Sequence, residues 1–283
     1  MKSETVKEFN FTKGDFERVR ALIYQRAGIS LADSKQEMVY SRLARRLRAT
    51  GIVSFGRYLD ELEAGRLGEE WESFTNALTT NLTSFFREAH HFPLLAEHLK
   101  STREQPLTIW CSASSTGEEP YSIAMTACEV FNTLTPPVQV IATDIDTNVL
   151  AVGERGVYAI ERLDKLAPER ARRFFLRGKG EQEGMVRVRP ELRQLVAFKQ
   201  LNLLAERWPL GGQFDVIFCR NVMIYFDKAT QRKILSRFVP LMKPNGLLFA
   251  GHSENFLYVS DALKLRGKTV YELDNRRAAR ELQ

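Results

Sequence analysis

Four polar clusters in this 283-residue chain each follow an apolar segment with the length of a buried strand. They are SASSTGEEP at residues 112–120, TDID at 143–146, LNLL at 201–204, and the pair Arg220–Asn221. In open parallel sheets, ligands bind beyond the carboxyl ends of the strands, where such clusters would lie side by side. We therefore expect residues from all four clusters to line one ligand site.

The side chains in these clusters are of the types that hold a nucleoside. A carboxylate accepts hydrogen bonds from the ribose hydroxyls, and an amide or the backbone pairs with the edge of adenine. Asp144 lies 27 residues beyond Gly117, close to the offset of a ribose-binding acid. Asp144 or Asp146 could instead cap the following helix, and the spacing alone does not separate these interpretations. Agreement among four strand ends favours the ligand.

The turn after the first strand argues against a dinucleotide. The pyrophosphate of a dinucleotide favours a G-x-G-x-x-G turn, which lets the backbone approach it. This turn has one glycine, Gly117, followed by Glu118 and Glu119, whose charges would repel a pyrophosphate. Two acids suit an ammonium or sulfonium group instead. S-adenosylmethionine has an adenosine, both kinds of cation and no phosphate, so we expect it in place of NAD.

The segment TTNLTSFFREAHHFP, residues 79–93, allows two interpretations. It is either a capping linker with a surface arginine, or a loop over the ligand in which Arg87 pairs with a carboxylate. The histidines of this region lack the H-E-x-x-H spacing and a matching cysteine or acid, so we expect no metal site. Cys219 lies within an apolar strand, where a thiol is usually inert.

Composition and charge narrow the class of protein. The net charge of +6 and the pI of about 9.2 are compatible with an acidic protein partner, nucleic acid or an anionic surface. No apolar run approaches the roughly 20 residues that span a bilayer, and the first 16 residues lack the apolar stretch of a secretory signal. Three cysteines without C-x-x-C spacing indicate reduced thiols. We expect a cytoplasmic protein without membrane insertion.

The order of apolar patterns predicts an α/β protein with additional parts. Residues 1–80 are predicted to form an all-helical domain, and residues 81–283 a Rossmann-like domain in which strands and helices alternate around a mostly parallel sheet. Alternation at 185–189 and the glycines between 178 and 184 predict an antiparallel β-subdomain inserted at about 155–200. KPNG, residues 243–246, is predicted to be a turn before the last strand of the parallel set.

Two segments, one basic and one glycine-rich, can each be interpreted either as ordinary structure or as a binding surface. The helix SRLARRLRATG carries Arg42, Arg45, Arg46 and Arg48, which are either a solvated face or a surface that docks on an acidic partner. The near absence of acids on that helix favours docking. The loop RGKGEQEG, residues 177–184, is either an ordinary connection or a site where a peptide adds to a strand edge.

Together, the motifs resemble the CheR family of chemotaxis receptor methyltransferases over nearly the whole chain. The residues that carry the resemblance are ALTTNLTSFFREAHHF, SASSTGEEPYSIAM, ATDIDTNVL, FDVIFCRNVMIYF, LMKPNGLLFAGHSENF, LIYQRAGI and MVYSRLARRLR. The resemblance implies an enzyme that moves a methyl group from S-adenosylmethionine to glutamate side chains on the cytoplasmic helices of chemoreceptors. The products would be glutamate methyl esters and S-adenosylhomocysteine, and the process would serve chemotactic adaptation.

The resemblance also implies roles for individual residues. Those expected around the cofactor are Asn81, Thr83, Arg87, Glu119, Asp144, Asn202, Leu203, Arg220 and Asn221, with Glu118 as an additional candidate beside Glu119. Arg87 and Tyr225 would lie nearest the transferred methyl group. The arginine helix would face the acidic methylation helices of the receptor. The β-subdomain would hold a short peptide from the receptor's C-terminus.

Two other classes of protein compete with this interpretation. A nucleic-acid methyltransferase would use the basic helix to grip phosphates, but adenine methylation usually comes with an Asn/Asp-Pro-Pro-aromatic motif where this chain has RNVMIY. A non-catalytic adaptor would bind receptors and lack the pocket residues.

A glutamate carboxylate is already ionised at pH 7 because its reference pKa is about 4.3, so its methylation needs no general base.

Overall fold

Packing divides the chain into two units in the computed structural model, which describes residues 7–102, 104–257 and 259–274. The first unit ends at Thr80 and also includes Tyr225–Asp227. The second begins at Asn81, runs to Ile224 and resumes at Lys228.

Among its described residues, the first unit contains four α-helices: α1 (Lys13–Ala27), α2 (Gln36–Thr50), α3 (Phe55–Glu63) and α4 (Glu70–Leu78). Thr12 caps α1, since its hydroxyl accepts from the Asp15 amide while the Asp15 carboxylate accepts from the Thr12 amide. Gly28 ends α1 with a φ of 69°, the left-handed conformation that glycine adopts without strain.

One buried acid connects three of these helices. Glu70, at the start of α4, is 7% exposed. It accepts hydrogen bonds from the Tyr58 hydroxyl at 2.6 Å and from two nitrogens of Arg46 at 2.9 and 2.7 Å. Since Tyr58 lies in α3 and Arg46 in α2, this network satisfies a buried carboxylate while it holds the helices together.

The second unit contains six helices and ten strands among its described residues. The helices are α5 (His91–Ser101), α6 (Glu118–Val130), α7 (Thr147–Arg155), α8 (Pro168–Phe174), α9 (Pro190–Gln194) and α10 (Lys228–Phe238). The strands are β1 (Leu107–Cys111), β2 (Val138–Asp144), β3 (Val157–Ala159), β4 (Phe175–Arg177), β5 (Met185–Val188), β6 (Val196–Gln200), β7 (Phe214–Cys219), β8 (Met242–Ala250), β9 (Leu263–Gly267) and β10 (Val270–Leu273).

A seven-stranded sheet is the framework of this unit. Its strand order is β6-β2-β1-β7-β8-β10-β9; the first five strands run parallel, and β10 pairs antiparallel with both β8 and the edge strand β9. Every residue of β7 is buried, as expected of a central parallel strand. The mostly parallel sheet predicted from the sequence is confirmed.

The inserted β-subdomain is a three-stranded antiparallel sheet with the order β3-β5-β4. Phe175 pairs with Val188 and Arg177 with Val186, so β4 and β5 form the hairpin that the alternating pattern predicted. The predicted turn at residues 243–246 is wrong as a boundary, because β8 begins at Met242 and contains it. The segment forms a bulge there, since the pairing with β7 jumps from Met242 to Leu247 between Phe214 and Val216.

The sheet order places a topological switch point at β1. From β1 the chain moves to β2 and β6 on one side, and then returns to β7 and β8 on the other. The carboxyl ends of β2, β1 and β7 are therefore neighbours at the place where ligands of open sheets bind. None of the described helices is long and apolar enough to cross a membrane.

The packing of α7 on β6 generates a stability prediction. A methyl group added at Gly153 in α7 would lie 2.5 Å from the Phe198 ring, whereas one added at Gly56 in α3 would meet nothing within 4 Å. Overpacking costs about 1–3 kcal/mol, while alanine in an open helical position gains about 0.5–1 kcal/mol. We expect Gly153→Ala to lower the free energy of unfolding in urea and Gly56→Ala to leave it equal or higher. Equal effects would contradict the packing argument.

Candidate active site

The loop after β1 lies between the ends of both neighbouring strands. The Ser112 amide donates to the Phe218 carbonyl on β7, and the Ser114 amide donates to the Thr143 carbonyl on β2, each at 2.8 Å. Gly117 ends the loop with a φ of 98°, and a Cβ there would lie 2.9 Å from the Gly153 backbone. The loop therefore needs glycine at this position, both for its backbone conformation and for close approach to α7.

Asp144 and Asp146, at the end of β2, have different tasks. Asp146 caps α7, since its carboxylate accepts from the amides of Asn148 and Val149. The Asp144 carboxylate is 8% exposed and accepts from the Ser115 amide at 2.8 Å and the Asp146 amide at 3.0 Å. Burial raises the pKa of Asp144 to about 6, although the backbone hydrogen bonds oppose this shift.

Glu118 and Glu119 lie in the first turn of α6, where the helix dipole favours negative charge. Glu118 is fully buried, pairs with Arg162 and accepts a 2.6 Å hydrogen bond from the Thr116 hydroxyl. Burial raises the pKa of Glu119, although the charge of Arg220 opposes the shift. Both acids thus have cationic partners within the chain, which the sequence pattern did not reveal. Their charges are less available to a ligand than two free carboxylates would be.

Arg220, directly after β7, is the most buried cation of the site, with a side chain that is 0% exposed. Its guanidinium lies 2.9 Å from the Glu119 carboxylate and 3.4 Å from that of Glu88, and it donates to the Arg87 carbonyl. The Cys111 thiol donates to Glu119 from the other side at 3.1 Å. Arg220 therefore connects β7, α6 and the segment that carries Arg87.

Glu88 has no role in the sequence interpretation, yet its carboxylate contacts residues that follow both β7 and β8. It accepts from the Asn221 side chain at 3.2 Å, from the His252 amide at 3.1 Å and from His252 Nδ1 at 3.0 Å. Burial opposes ionisation, but these hydrogen bonds and the charge of Arg220 prevail and lower the pKa of Glu88 to about 2. Its position directly after Arg87 was the available signal.

Glu254 is a second residue that sequence reasoning missed. It lies beyond β8 and accepts from the amides of Asn221, Met223 and Gly251 at 2.6–2.8 Å. Asn221 has a φ of 59°, in the left-handed region, where asparagine is enriched among non-glycine residues. Burial raises the pKa of Glu254. The carboxylate thus fixes the backbone of Asn221 beside the Arg220 cluster.

The segment before α5 contributes backbone groups as well as side chains. The Asn81 side chain donates to the Asp146 carboxylate at 2.8 Å, and the Asn81 backbone carbonyl accepts from the Ser115 hydroxyl at 3.1 Å. The Arg87 guanidinium donates to the Leu82 carbonyl at 2.8 Å. The structure therefore brings Asn81 and the Arg87 backbone to the strand ends, as the interpretation of this segment as a loop over the ligand requires.

The remaining predicted cofactor residues lie at the same edge. The Leu201 amide, at the end of β6, donates to the Asp144 carbonyl at 2.9 Å, so Asn202 and buried Leu203 follow directly beside β2. The Asn202 side chain accepts from the Leu204 amide. Thr83 is half-buried, and its carbonyl accepts from Arg162.

Tyr225 and the four predicted docking arginines lie in the first unit. Tyr225 groups with that unit, and its carbonyl accepts from the Ser30 amide at 2.9 Å. On α2, Arg42 donates to the carbonyls of Ala77 and Thr79, and Arg46 pairs with buried Glu70. Arg42 and Arg46, two of the four arginines predicted to dock on a partner, therefore stabilise the fold of the helical unit.

The other two arginines of α2 are exposed. Arg48 pairs with exposed Glu8 at 2.8 Å. Arg45 makes no ion pair with any residue that the structure describes, and it is the predicted docking residue whose charge has the fewest internal contacts. An exposed ion pair contributes little to stability, so Arg48 also retains a charge that a partner can use.

One cluster has the residue types of a metal site. Glu88, His90 and His91 present ligand atoms within 4.8 Å of one another. The Glu88 carboxylate already accepts from His252 and Asn221, and Arg220 lies close enough to repel a cation. The Glu88 carboxylate is therefore already compensated by Arg220 and by its hydrogen-bond donors, and this environment disfavours a metal ion.

The arrangement fits an adenosine ligand without phosphate. Two buried polar atoms at the strand ends, Ser114 Oγ and Arg220 Nε, have no hydrogen-bond partner among the described residues. A buried polar atom without a partner costs free energy, which a polar ligand removes. The buried Asp144 carboxylate lies at the end of β2, and the start of α6 presents acids in place of a glycine-rich phosphate cradle. These residues suit S-adenosylmethionine.

Comparison with known families matches both units. Residues 14–79 match the family model described as the CheR methyltransferase all-alpha domain. Residues 81–271 match the model described as the CheR methyltransferase SAM binding domain. The two models meet at the boundary between the helical unit and the unit that contains the sheet.

Curated proteins similar to this chain carry the same description over nearly their full length. A chemotaxis protein methyltransferase from Escherichia coli is 57% identical over 91% of this chain and 90% of its own. One from Salmonella typhimurium is 56% identical over 93% of this chain and 91% of its own. The chemotaxis protein methyltransferase 2 of Pseudomonas aeruginosa is 53% identical over 94% and 95%.

The buried Asp144 carboxylate generates a pH prediction. Its pKa of about 6 in the folded protein exceeds the value of about 3.9 in an unfolded chain. The stability associated with this group is therefore fully present below about pH 4 and is lost as the pH rises through about 6. Between pH 4 and 7, the unfolding free energy of Asp144→Asn should rise relative to that of the wild type by up to about 3 kcal/mol.

Urea unfolding at several pH values measures this difference. Asp164→Asn removes an exposed carboxylate from the same unit and serves as the matched control. Parallel pH profiles for Asp144→Asn and the wild type would contradict the raised pKa.

Proposed function

The chain belongs to the CheR methyltransferase family, and from that premise we propose which residues carry each part of its reaction. The protein is an S-adenosylmethionine-dependent methyltransferase that modifies chemoreceptors, with glutamate side-chain carboxylates as acceptors. The observation that carries the proposal is the convergence of Asp144, Glu119, Arg220 and Asn221 at the ends of adjacent strands, within the segment matched by the SAM binding domain.

The chemistry sets modest demands on the protein. S-adenosylmethionine supplies a methyl group made electrophilic by a sulfonium centre. An acceptor carboxylate oxygen forms a bond to that carbon as the carbon–sulfur bond breaks, and no proton has to move because the carboxylate is ionised at pH 7. The residues therefore have to bind, align and exclude water, since positioning and desolvation are the main sources of rate.

The residues at the strand ends are proposed to bind the cofactor. Asp144 would accept from the ribose hydroxyls, and the backbone at Asn202–Leu203 would face the adenine. Arg220 and Asn221 would orient polar groups at the methionine end, with Glu119 beside them. Asn81 and Thr83 would complete the site from the segment before α5. Support comes from their common location and from the unpartnered Arg220 Nε.

Arg87 and Tyr225 are proposed to act on the acceptor. Arg87 has a guanidinium that can pair with a carboxylate. A hydrogen bond that held the acceptor oxygen too strongly would reduce its nucleophilicity, so a neutral phenol is a suitable contact nearest the reaction. Arg87 would then hold the acceptor group and Tyr225 would align its reacting oxygen.

Receptor docking is proposed for the helical unit, over residues 1–80. The exposed Arg45 and Arg48 are its best-supported contacts, because Arg42 and Arg46 are hydrogen-bonded within the unit. An acidic receptor helix would add the counter-charge that Arg45 lacks among the described residues. Since the acceptor glutamates are expected on cytoplasmic receptor helices, a cytoplasmic location is part of this proposal.

The β-subdomain, at about 155–200, is proposed to hold a short peptide from the receptor's C-terminus. β4 lies at an edge of its sheet, and Leu176 on that strand is 40% exposed. An edge strand can pair with an added peptide through backbone hydrogen bonds, and neighbouring Arg177 and Lys179 suit a terminal carboxylate. Calorimetric titration with such a peptide tests this; absence of binding would contradict it.

Labelled methyl transfer to receptor-rich membranes tests the function directly. With radiolabelled S-adenosylmethionine, we expect label in the receptor and its release as methanol in alkali, since a carboxyl ester is base-labile. Label that survives alkali would indicate an N-methyl product. Methylation of DNA or RNA would support a nucleic-acid methyltransferase, and failure to bind S-adenosylhomocysteine would support an adaptor.

The same assay tests the acceptor residues. Tyr225→Phe removes only the hydroxyl, so we expect kcat to fall about 10-fold or more, with affinity for S-adenosylhomocysteine unchanged. Full turnover by this variant would remove Tyr225 from the mechanism.

Charge reversal on α2 tests receptor docking. Arg45→Glu should raise the KM for receptor-rich membranes several-fold and leave kcat unchanged, because it removes an attractive charge away from the reacting atoms. The effect should shrink with added salt. Arg57→Glu, an exposed arginine on α3, is the matched control. Equal KM values for both variants would contradict docking through α2.

A further inference from the structure

Glu88 lies directly beside Arg87 in the chain, and its contacts reach the ends of β7 and β8. We propose that Glu88 is a positioning residue that fixes Arg87 for methyl transfer, an inference that rests on the proposed acceptor-binding role of Arg87. In this role, Glu88 itself does not touch the reacting groups. It acts through the backbone of the segment that carries Arg87.

The contacts of Glu88 bind that segment to two strand ends. One carboxylate oxygen accepts from the Asn221 side chain at 3.2 Å and from His252 Nδ1 at 3.0 Å. The other accepts from the His252 amide at 3.1 Å and lies 3.4 Å from Arg220. Because Asn221 follows β7 and His252 follows β8, the single Glu88 carboxylate links the segment that carries Arg87 to the ends of both strands.

The backbone around Arg87 requires such stabilising contacts. Phe86 has a φ of 52° and Glu88 a φ of 54°, both in the left-handed region. Non-glycine residues in that region are strained, and they persist where surrounding contacts determine the conformation. The Phe86 amide donates to Ser122 at 2.9 Å, and the Arg87 carbonyl accepts from Arg220. With Glu88, these contacts hold each residue of the turn.

The charge of Glu88 matters as well as its shape. The side chain is 9% exposed, and a carboxylate so buried requires compensating charge and donors. Arg220 supplies the charge, and Asn221 and His252 supply hydrogen bonds. A neutral glutamine keeps the size of the side chain but replaces one acceptor oxygen with a donor, which would face the donors of this cluster. The turn would then lose the hydrogen bonds that this oxygen accepts, while the fold stays intact.

Cofactor binding should be largely independent of Glu88. Arg220 keeps its ion pair with Glu119 at 2.9 Å, and the Asn221 backbone stays bonded to Glu254 at 2.8 Å. The expected defect is therefore confined to the orientation of Arg87. A misplacement of about 1 Å in a group that positions a substrate can cost about 100-fold in rate.

The test compares Glu88→Gln with Glu169→Gln, which alters an exposed ion pair of α8. In the full chain with receptor-rich membranes, we expect Glu88→Gln to lower kcat about 30- to 100-fold. The Kd for S-adenosylhomocysteine should change less than about five-fold, and the Tm by only a few degrees. Glu169→Gln should match the wild type. Glu88→Asp, which keeps the charge, should recover part of the rate.

A double-mutant cycle separates positioning from a purely structural role. Arg87→Lys should lower kcat, and adding Glu88→Gln to it should lower kcat little further, since Glu88 acts through Arg87. Multiplicative losses would overturn the inference, as would a Glu88→Gln defect explained by unfolding alone. Failure of the proposed function gives different results: a wild type that labels no receptor, or an Arg87→Lys variant with unchanged kcat.

Discussion

A buried guanidinium between two carboxylates is the interaction on which the candidate active site depends. Arg220 is fully buried, with Glu119 on one side and Glu88 on the other. Removing such charges from water costs several kcal/mol for each ion, and the cost is recovered only when the geometry is good. The first turn of α6, the end of β7 and the segment carrying Arg87 are thus held in one fixed relation, as an in-line displacement requires.

Carboxylates at this edge differ in pKa because their surroundings differ. Hydrogen bonds and the arginine lower the pKa of Glu88, whereas burial raises the pKa of Asp144, Glu119 and Glu254. Such separation is typical of sites where titratable groups have distinct tasks. Glu88 and Glu254 hold backbone, and Asp144 is the acid assigned to the ligand. The reaction itself needs no base, so these acids act through structure and binding.

The sequence by itself determined the order of strands and helices, the β4–β5 hairpin and the strand ends where the polar clusters lie. These features follow from local burial periodicity and turn chemistry, which neighbouring residues encode. The long motifs also identified the family, and with it the cofactor and the acceptor. The bulge at residues 243–246 was missed because a turn sequence inside a strand looks the same as a turn before it.

Only the tertiary structure decided which charges meet. Glu118 pairs with Arg162 and Glu88 with Arg220, residues far apart in the chain, and no local pattern links them. It likewise showed that Arg46 is held by the buried Glu70 within the helical unit. Charge pairing depends on three-dimensional distance and burial, whereas sequence spacing reports only neighbours along one element. The sequence thus identified the polar groups at the site, and folding selected their partners.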